Sequence, residues 1–281
     1  MSEMEERPLV TFALFAYNQE KYIREAVEGA FSQTYSPLEI ILSDDCSNDR
    51  TFEIMQEMAA EYRGPHRVRV RRSQPNKGLL SHVISVGKEA NGDMIVVAAG
   101  DDISCRERTE ITMKLLDNSG EAYAFSSDDI IINEDGEPTD WDVERISLRK
   151  SWHNKLPSWV HGATAAYRTS FISSLPLPKN EIFYEDMIFA DLLDVMEKKS
   201  IHSSYQLVKY RYHSANLSNR LTADESHDSV DDIAIQRWTR AYDAKAYCLE
   251  VAHALLKPTR RHSRIAKLQG ELSLLHLKME I

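Results

Sequence analysis

The chain has 281 residues, of which 42% are hydrophobic, and 44 acidic against 34 basic side chains give a net charge of −10. That size allows one large domain or about two ordinary ones, and the composition excludes disorder for the bulk of it. No apolar run reaches the ~18 to 20 residues that cross a bilayer, the charged start MSEMEERP is not a signal peptide, and the acidic balance disfavours nonspecific nucleic-acid binding. The expectation is a cytoplasmic protein without a transmembrane segment, with room only for peripheral membrane contact. Cys46, Cys105 and Cys248 are scattered and form neither a disulfide framework nor a CxxC metal site.

Residues 9–16 are continuously apolar and β-rich, and Tyr22, Ile23, Ala26, Val27, Ala30 and Phe31 follow at helical spacing. A second strand, Leu38 to Leu42, runs into the polar cluster SDDCSND and a helix marked by Phe52, Met55, Ala59 and Tyr62. Residues 67–72 predict a third strand, 79–90 a helix and 94–99 a fourth strand. Strands alternating with helices imply a mostly parallel central sheet flanked by helices, with ligands beyond the carboxyl ends of its strands. From about residue 110 the pattern loosens into mixed α+β: AYAFSS and IIIN flank acidic loops, and HGATAAY reads as a strand. Alternation over 206–213 puts Lys209, Arg211 and His213 on one cationic face. Two terminal helices follow, and in the second Ile265, Leu268, Leu272, Leu275 and Met279 make a short stripe. Packing on the neighbouring helix, which contains Ile233, Trp238 and Leu249, is favoured over a homodimer through these helices.

Three acidic pairs stand out: Asp44-Asp45, Asp101-Asp102 and Glu185-Asp186. The first two directly follow apolar strands, so adjacent carboxylates share the binding edge of the sheet and repel unless a cation or a hydrogen-bond donor lies between them. Oxygen ligands without a His/Cys cluster suit Mg2+ or Mn2+ with a phosphorylated ligand. Glu185-Asp186 also suits the N-terminal end of the helix carrying Ile188, Leu192 and Val195.

Residues 10–51, VTFALFAYNQEKYIREAVEGAFSQTYSPLEIILSDDCSNDRT, resemble the opening of family 2 glycosyltransferases. VVAAGDDIS, YEDMIF and LVKYRYHSANLS resemble that family's metal-binding strand end, base loop and terminal Arg-x-His segment, in the right order. The resemblance covers roughly residues 9 to 218. It implies a GT-A nucleotide-diphospho-sugar transferase fold and inverting transfer from a nucleotide diphosphate sugar, uridine or thymidine, to a carbohydrate or lipid-linked hydroxyl. It implies a donor-binding half at 1–110, an acceptor-binding half at 111–222 and a helical extension at 223–281.

Carried over residue by residue, Tyr17 flanks the base and Asp45 accepts its imide hydrogen, with Ala16, Gln19 and Asp44 beside them. Asp101 and Asp102 hold the ribose and the metal on the diphosphate, Arg211 and His213 stand near that diphosphate, with His213 a candidate metal ligand, and Asp186 is the general base. Ala99 replaces the usual first acid of the DxD motif, and NKGLLSHVISVG lacks the family's Ala-Arg-Asn. His82 reads there as a helix-surface histidine, with a phosphate contact as the alternative. His161 could line the acceptor site, and Trp152 and Trp159 suit packing or a sugar platform. A lapsed binding module is the rival from another class. A nucleotidyltransferase or a nicotinamide dehydrogenase would need a glycine-rich loop after the first strand, which LFAYNQEKY lacks.

Overall fold

The computed structural model describes residues 7–139, 160–182, 185–216, 230–256 and 262–279. Strands β1 (Val10–Ala16), β2 (Leu38–Asp44), β3 (Arg67–Arg72) and β4 (Met94–Ala99) lie parallel in the order β3-β2-β1-β4. Helices α1 (Ile23–Phe31), α2 (Thr51–Glu61) and α3 (Leu79–Glu89) connect them. The continuous apolar runs follow from burial on both faces. Along β1, Phe12 and Leu14 pack with α1 and β2 residues such as Val27 and Ile40, while Ala13 and Phe15 face a second cluster with Leu80, Val83 and Ile84 of α3. Because these strands are parallel and in register, Ala16 is level with Asp44, and Phe15 with Ala99, so three loops open at one edge.

The rest of the chain extends the same sheet. After β5 (Ile103–Ser104) and α4 (Arg108–Ser119) come β6 (Ala122–Ile132), a 3-10 turn at Gly162–Thr164, β7 (Ala166–Arg168), α5 (Thr169–Ser174), α6 (Glu185–Val195) and β8 (Lys199–Arg211). The eight strands run β3-β2-β1-β4-β7-β6-β8-β5, with β7 antiparallel to β4 and β6.

Three sequence expectations need correcting here. AYAFSS and IIIN are one strand, β6, which carries Asp128 and Asp129 through register shifts against β8 instead of breaking into a loop. Only Ala166–Arg168 of HGATAAY and the residue after it is strand, because Gly162–Thr164 turns first. The cationic face of β8 also dissolves: Lys209 is exposed, but Arg211 is 1% exposed and His213 is buried.

Helices α7 (Val230–Leu255) and α8 (His262–Met279) cover one side. Ile265 and Leu268 of α8 are buried with Tyr247, Cys248, Val251 and Ala252 of α7, as the stripe predicts, whereas Leu272 and Leu275 are half-buried. Leu249 packs against that cluster, while the side chains of Ile233, Trp238 and Met279 lie outside the described residues. Lys245 bridges Asp191 of α6 at 2.7 Å and Glu271 of α8 at 2.9 Å, which ties the terminal pair to the sheet domain. Among the described residues no helix is long and apolar enough to cross a membrane.

Candidate active site

The loops after β1 and β2 are laced to each other. The Asn18 N–H donates to Ser47 Oγ (2.8 Å), Gln19 N–H to Thr51 Oγ1 (2.7 Å), Glu20 N–H to Asp49 Oδ2 (3.0 Å) and Asn48 N–H to Asn18 Oδ1 (2.8 Å). Ser47, Asp49 and Thr51 are thus scaffold, with short side-chain oxygens suited to capturing backbone N–H groups in turns. Asn18 and Cys46 have φ of 54° and 67°. Asparagine tolerates that region, but for Cys46 it is a strained turn costing about 1–3 kcal/mol, held by the surrounding hydrogen bonds. The turn sends the adjacent acids different ways. Asp44 points into the loop, accepting from Ser47 N–H (3.0 Å) and pairing with Arg72 Nε (3.1 Å). Asp45 accepts from the Lys77 N–H (3.1 Å) and Gly78 N–H (3.0 Å), which brings the 76–78 loop over the same edge. Burial raises the Asp45 pKa, and those amides partly oppose the rise.

Tyr17 stands 38% exposed beside this edge. Ala16 is buried, and its carbonyl accepts the Asp45 N–H at 2.9 Å. The Gln19 side chain, which accepts the Tyr17 N–H at 3.3 Å, crowds Gly100. A Cβ at Gly100 would come within 2.9 Å of Ala16 Cβ and 3.1 Å of Ile23 Cδ1, so only glycine lets the β4 loop approach. His82 corrects both sequence readings: it is 2% exposed, its Nε2 is 2.5 Å from Ser43 Oγ, and burial pushes its pKa down to about 3. Arg71 already donates to Ser43 Oγ at 2.8 Å, which leaves the serine hydroxyl free to donate to the neutral imidazole.

Asp101, Asp102, Arg211 and His213 do meet. Asp102 Oδ1 accepts the Arg211 N–H at 2.8 Å, while its buried Oδ2 has no hydrogen-bond partner. Burial first, then the charges of Asp101 and Asp129, raise the Asp102 pKa well above the usual carboxylate range. An orphaned carboxylate oxygen beside a second carboxylate fits a divalent cation. Among the described residues no three His, Cys, Asp or Glu side chains gather into a metal cluster. Magnesium and manganese do not require one, since one or two carboxylates plus substrate phosphates typically suffice.

His213 Nδ1 accepts the Ala215 N–H (3.2 Å), so the ring proton lies on Nε2, which donates to Asp101 Oδ2 at 3.1 Å. Ligation through Nε2 would require the other tautomer. Arg211 is turned inward: Nε donates to Asp101 O (3.0 Å), Nη1 to Glu134 O (2.8 Å) and Nη2 to Glu25 Oε2 (2.7 Å). In this arrangement it is a strut that sets the Asp101-Asp102 turn.

Asp186 does not touch these groups. With Glu185 it opens α6, half-buried, accepting the N–H groups of Met187 (2.8 Å) and Gly162. A Cβ at Gly162 would lie 2.6 Å from Glu185 Oε1, so the turn seats closely on the acid pair and a larger residue there would push the Glu185 carboxyl aside. Burial and the Asp186 charge push Glu185 up to about 8. Burial raises Asp186 too, opposed by the two amides, so Asp186 ionises first and Glu185 keeps its proton near neutrality. His161, which precedes Gly162 in the chain, has its Nδ1 3.6 Å from Asp129 Oδ2 of β6. Trp152, Trp159 and Tyr184 lie outside the described residues.

A sequence model described as Glycosyl transferase family 2 matches residues 11–174, more than half of the chain. The chain belongs to glycosyltransferase family 2. It is similar to GlyG of Streptococcus pneumoniae serotype 4, with 28% identity over 184 residues, 63% of this chain and 58% of GlyG. It is also similar to EpsE of Bacillus subtilis strain 168, with 30% identity over 133 residues, 47% of either chain, so it spans only about half the length of these curated relatives. The fold matches the mannosyltransferase PcManGT of Pyrobaculum calidifontis, solved with GDP-Man and Mn2+, at TM-score 0.63 and 16% identity over 98% of this chain and 73% of that one. These structural neighbours make the fold GT-A.

Three structural residues escape a reading of the motifs. Gln33, of Gln-Thr-Tyr, is buried and takes both the N–H and the hydroxyl of Thr109 on its Oε1, at 3.0 and 2.7 Å. Arg108, in the charged run CRERTE, looks solvated but is 1% exposed. Asp129 is the third, because AYAFSS and IIIN read as flanking an acidic loop whereas β6 runs straight through it.

Proposed function

We propose that this glycosyltransferase moves a sugar, with inversion, from a uridine or thymidine diphosphate carrier to a carbohydrate or lipid-linked hydroxyl in the building of a cell-surface or secreted glycan. The observation that carries this is the orphaned Asp102 Oδ2 beside Asp101, on the edge that also presents Asp45. Asp45 supports a pyrimidine base: a carboxylate has about four lone-pair sites, and contacts from Lys77 and Gly78 already engage both oxygens. What remains suits one imide N–H better than the paired donors of guanine. Tyr17 offers its exposed ring to that base.

Asp101 and Asp102 would hold a divalent cation, which when bound neutralises charge on the departing diphosphate. His213 and Arg211 keep the Asp101-Asp102 turn in place. On the opposite side Asp186 accepts the hydroxyl proton as the acceptor oxygen bonds to the sugar carbon and the carbon–diphosphate bond breaks. This reading makes 1–110 the donor half, 111–222 the acceptor half and 223–281 an extension that braces α6. Calorimetric titration with UDP, dTDP and GDP, with and without Mn2+, tests it. Metal-strengthened binding that favours UDP or dTDP is expected, and absence of nucleotide binding would overturn it.

A further inference from the structure

Strand β4 and its antiparallel neighbour part company where the candidate site begins. Pairing runs from Met94↔Arg168 to Val96↔Ala166, and the last bond across is Val97 N–H to Ala165 O at 2.9 Å. Beyond that point β4 continues to Ala99, Gly100, Asp101 and Asp102, while the other segment turns away through Gly162–Thr164. A sheet that opens inside a protein strands backbone carbonyls, which need donors. Arg108 supplies them. Its Nη2 donates to Val97 O (2.6 Å) on one bank and to Ala163 O (3.2 Å) and Ala165 O (3.4 Å) on the other, while Nη1 donates to Ser104 Oγ (2.9 Å).

We propose that Arg108 is a positioning residue for transfer, a buried wedge that fixes the separation between the donor corner at Asp101-Asp102 and the turn that seats Asp186. The inference rests on the function proposed above. From Val97 the chain reaches the donor acids within five residues, and Ala163 directly follows Gly162, whose N–H holds Asp186. One guanidinium nitrogen, Nη2, therefore touches both banks of the split while Nη1 anchors the group on Ser104. Neither alternative side chain does this equally well, because lysine has no second nitrogen to anchor on Ser104 Oγ while the first bridges the banks, and an apolar residue leaves three carbonyls without this donor. Burying the guanidinium is costly and pulls its pKa down to about 10, a cost that those carbonyls and the nearby Asp102 only partly offset.

The test compares Arg108→Lys with wild type, each alone and combined with Asp186→Asn. The measurements are thermal unfolding, calorimetry with UDP and Mn2+, and release of UDP or GDP from UDP-N-acetylglucosamine or GDP-mannose with water as acceptor, well below the unfolding temperature. Arg108→Lys should bind UDP and Mn2+ within about twofold of wild type yet turn over about tenfold slower or worse, as misplacement of a reacting group predicts. In the Asp186→Asn background the same change should cost less than about threefold, because the base it positions is already disabled. A lower unfolding temperature with unchanged turnover of the folded protein would overturn the proposal, as would equal losses in both backgrounds. If Asp186→Asn alone leaves turnover intact, it is the assignment of the base that has failed. Arg108→Met extends the series where it folds, but the lysine variant suffices.

Discussion

The edge proposed to bind the donor and the edge proposed to hold the acceptor are built differently. At the donor edge, consecutive strand ends in parallel register present loops that bond directly to one another, as Asn18, Gln19 and Glu20 do with Ser47, Thr51 and Asp49. Its residues are close in sequence, and the lacing is local. At the acceptor edge, Asp186 is placed by a turn about two dozen residues earlier, and that turn is held by Arg108 from a different helix. The first region is a motif; the second is an assembly. Damage at the donor edge should therefore appear in nucleotide binding, and damage at the acceptor edge in turnover.

The sharpest way to break this contrast is Asp186→Asn, which preserves shape and removes the proton acceptor. Turnover should fall by ~10² or more, while calorimetric affinity for UDP and Mn2+ stays within about twofold. Equal loss of both would show the two edges to be one unit.

Asp45→Ala should do the converse. It removes the acceptor for the Lys77 and Gly78 N–H groups as well as the proposed base contact, so nucleotide affinity should drop by about 1.5–3 kcal/mol, the worth of a hydrogen bond to a charged group. Transfer at saturating donor should change far less. Unchanged affinity in a folded variant would refute the assignment.

The asymmetry also explains what was legible in the sequence. The β-α-β-α-β run, the Asp-Asp-x-Ser-x-Asp-x-Thr motif and the first turns of the α8 stripe could be read because each depends on short-range periodicity or spacing. The inward turn of Arg211, the burial of His82 and the wedge at Arg108 could not. Each is a polar side chain whose burial is decided by partners far along the chain, such as Glu25 for Arg211 and Val97 O and Ala163 O for Arg108. Alternation predicted a cationic face on β8, and tertiary demand for donors overrode it.

A subtler probe of the acceptor edge is pH. Glu185 is raised from 4.5 to about 8 by burial and by the Asp186 charge. Between those values the folded protein holds a proton that the unfolded chain has released, so this group's contribution to stability is full below about pH 4.5 and fades as pH climbs through 8. Glu185→Gln should make the decline in unfolding free energy from pH 5 to 8 shallower, with UDP affinity unaltered. A decline as steep as wild type would mean that Glu185 is ionised throughout.

The smallest effect on transfer is expected from a carboxylate on β2 at the end opposite Asp45. Glu39 accepts the Thr11 hydroxyl (2.5 Å), the Asn91 N–H (2.6 Å) and Asn91 Nδ2 (2.9 Å), far from either functional edge. Burial alone would raise its pKa, but these donors and the Arg69 charge outweigh burial and hold it below 4.5. Its stabilisation is therefore present above the unfolded value and lost as pH falls through the folded one. Glu39→Gln keeps the shape and one oxygen acceptor, so it should cost about 1–2 kcal/mol at pH 7 and draw level with wild type under acid. Chemical unfolding at pH 7 and pH 3 measures both. Nucleotide affinity and turnover should match wild type at pH 7, since a buried, multiply bonded carboxylate on the same strand does no chemistry unless the strand end beneath it opens into loops. Should Glu39→Gln impair turnover while leaving stability untouched, the division of this molecule into a functional edge and a structural one is drawn in the wrong place.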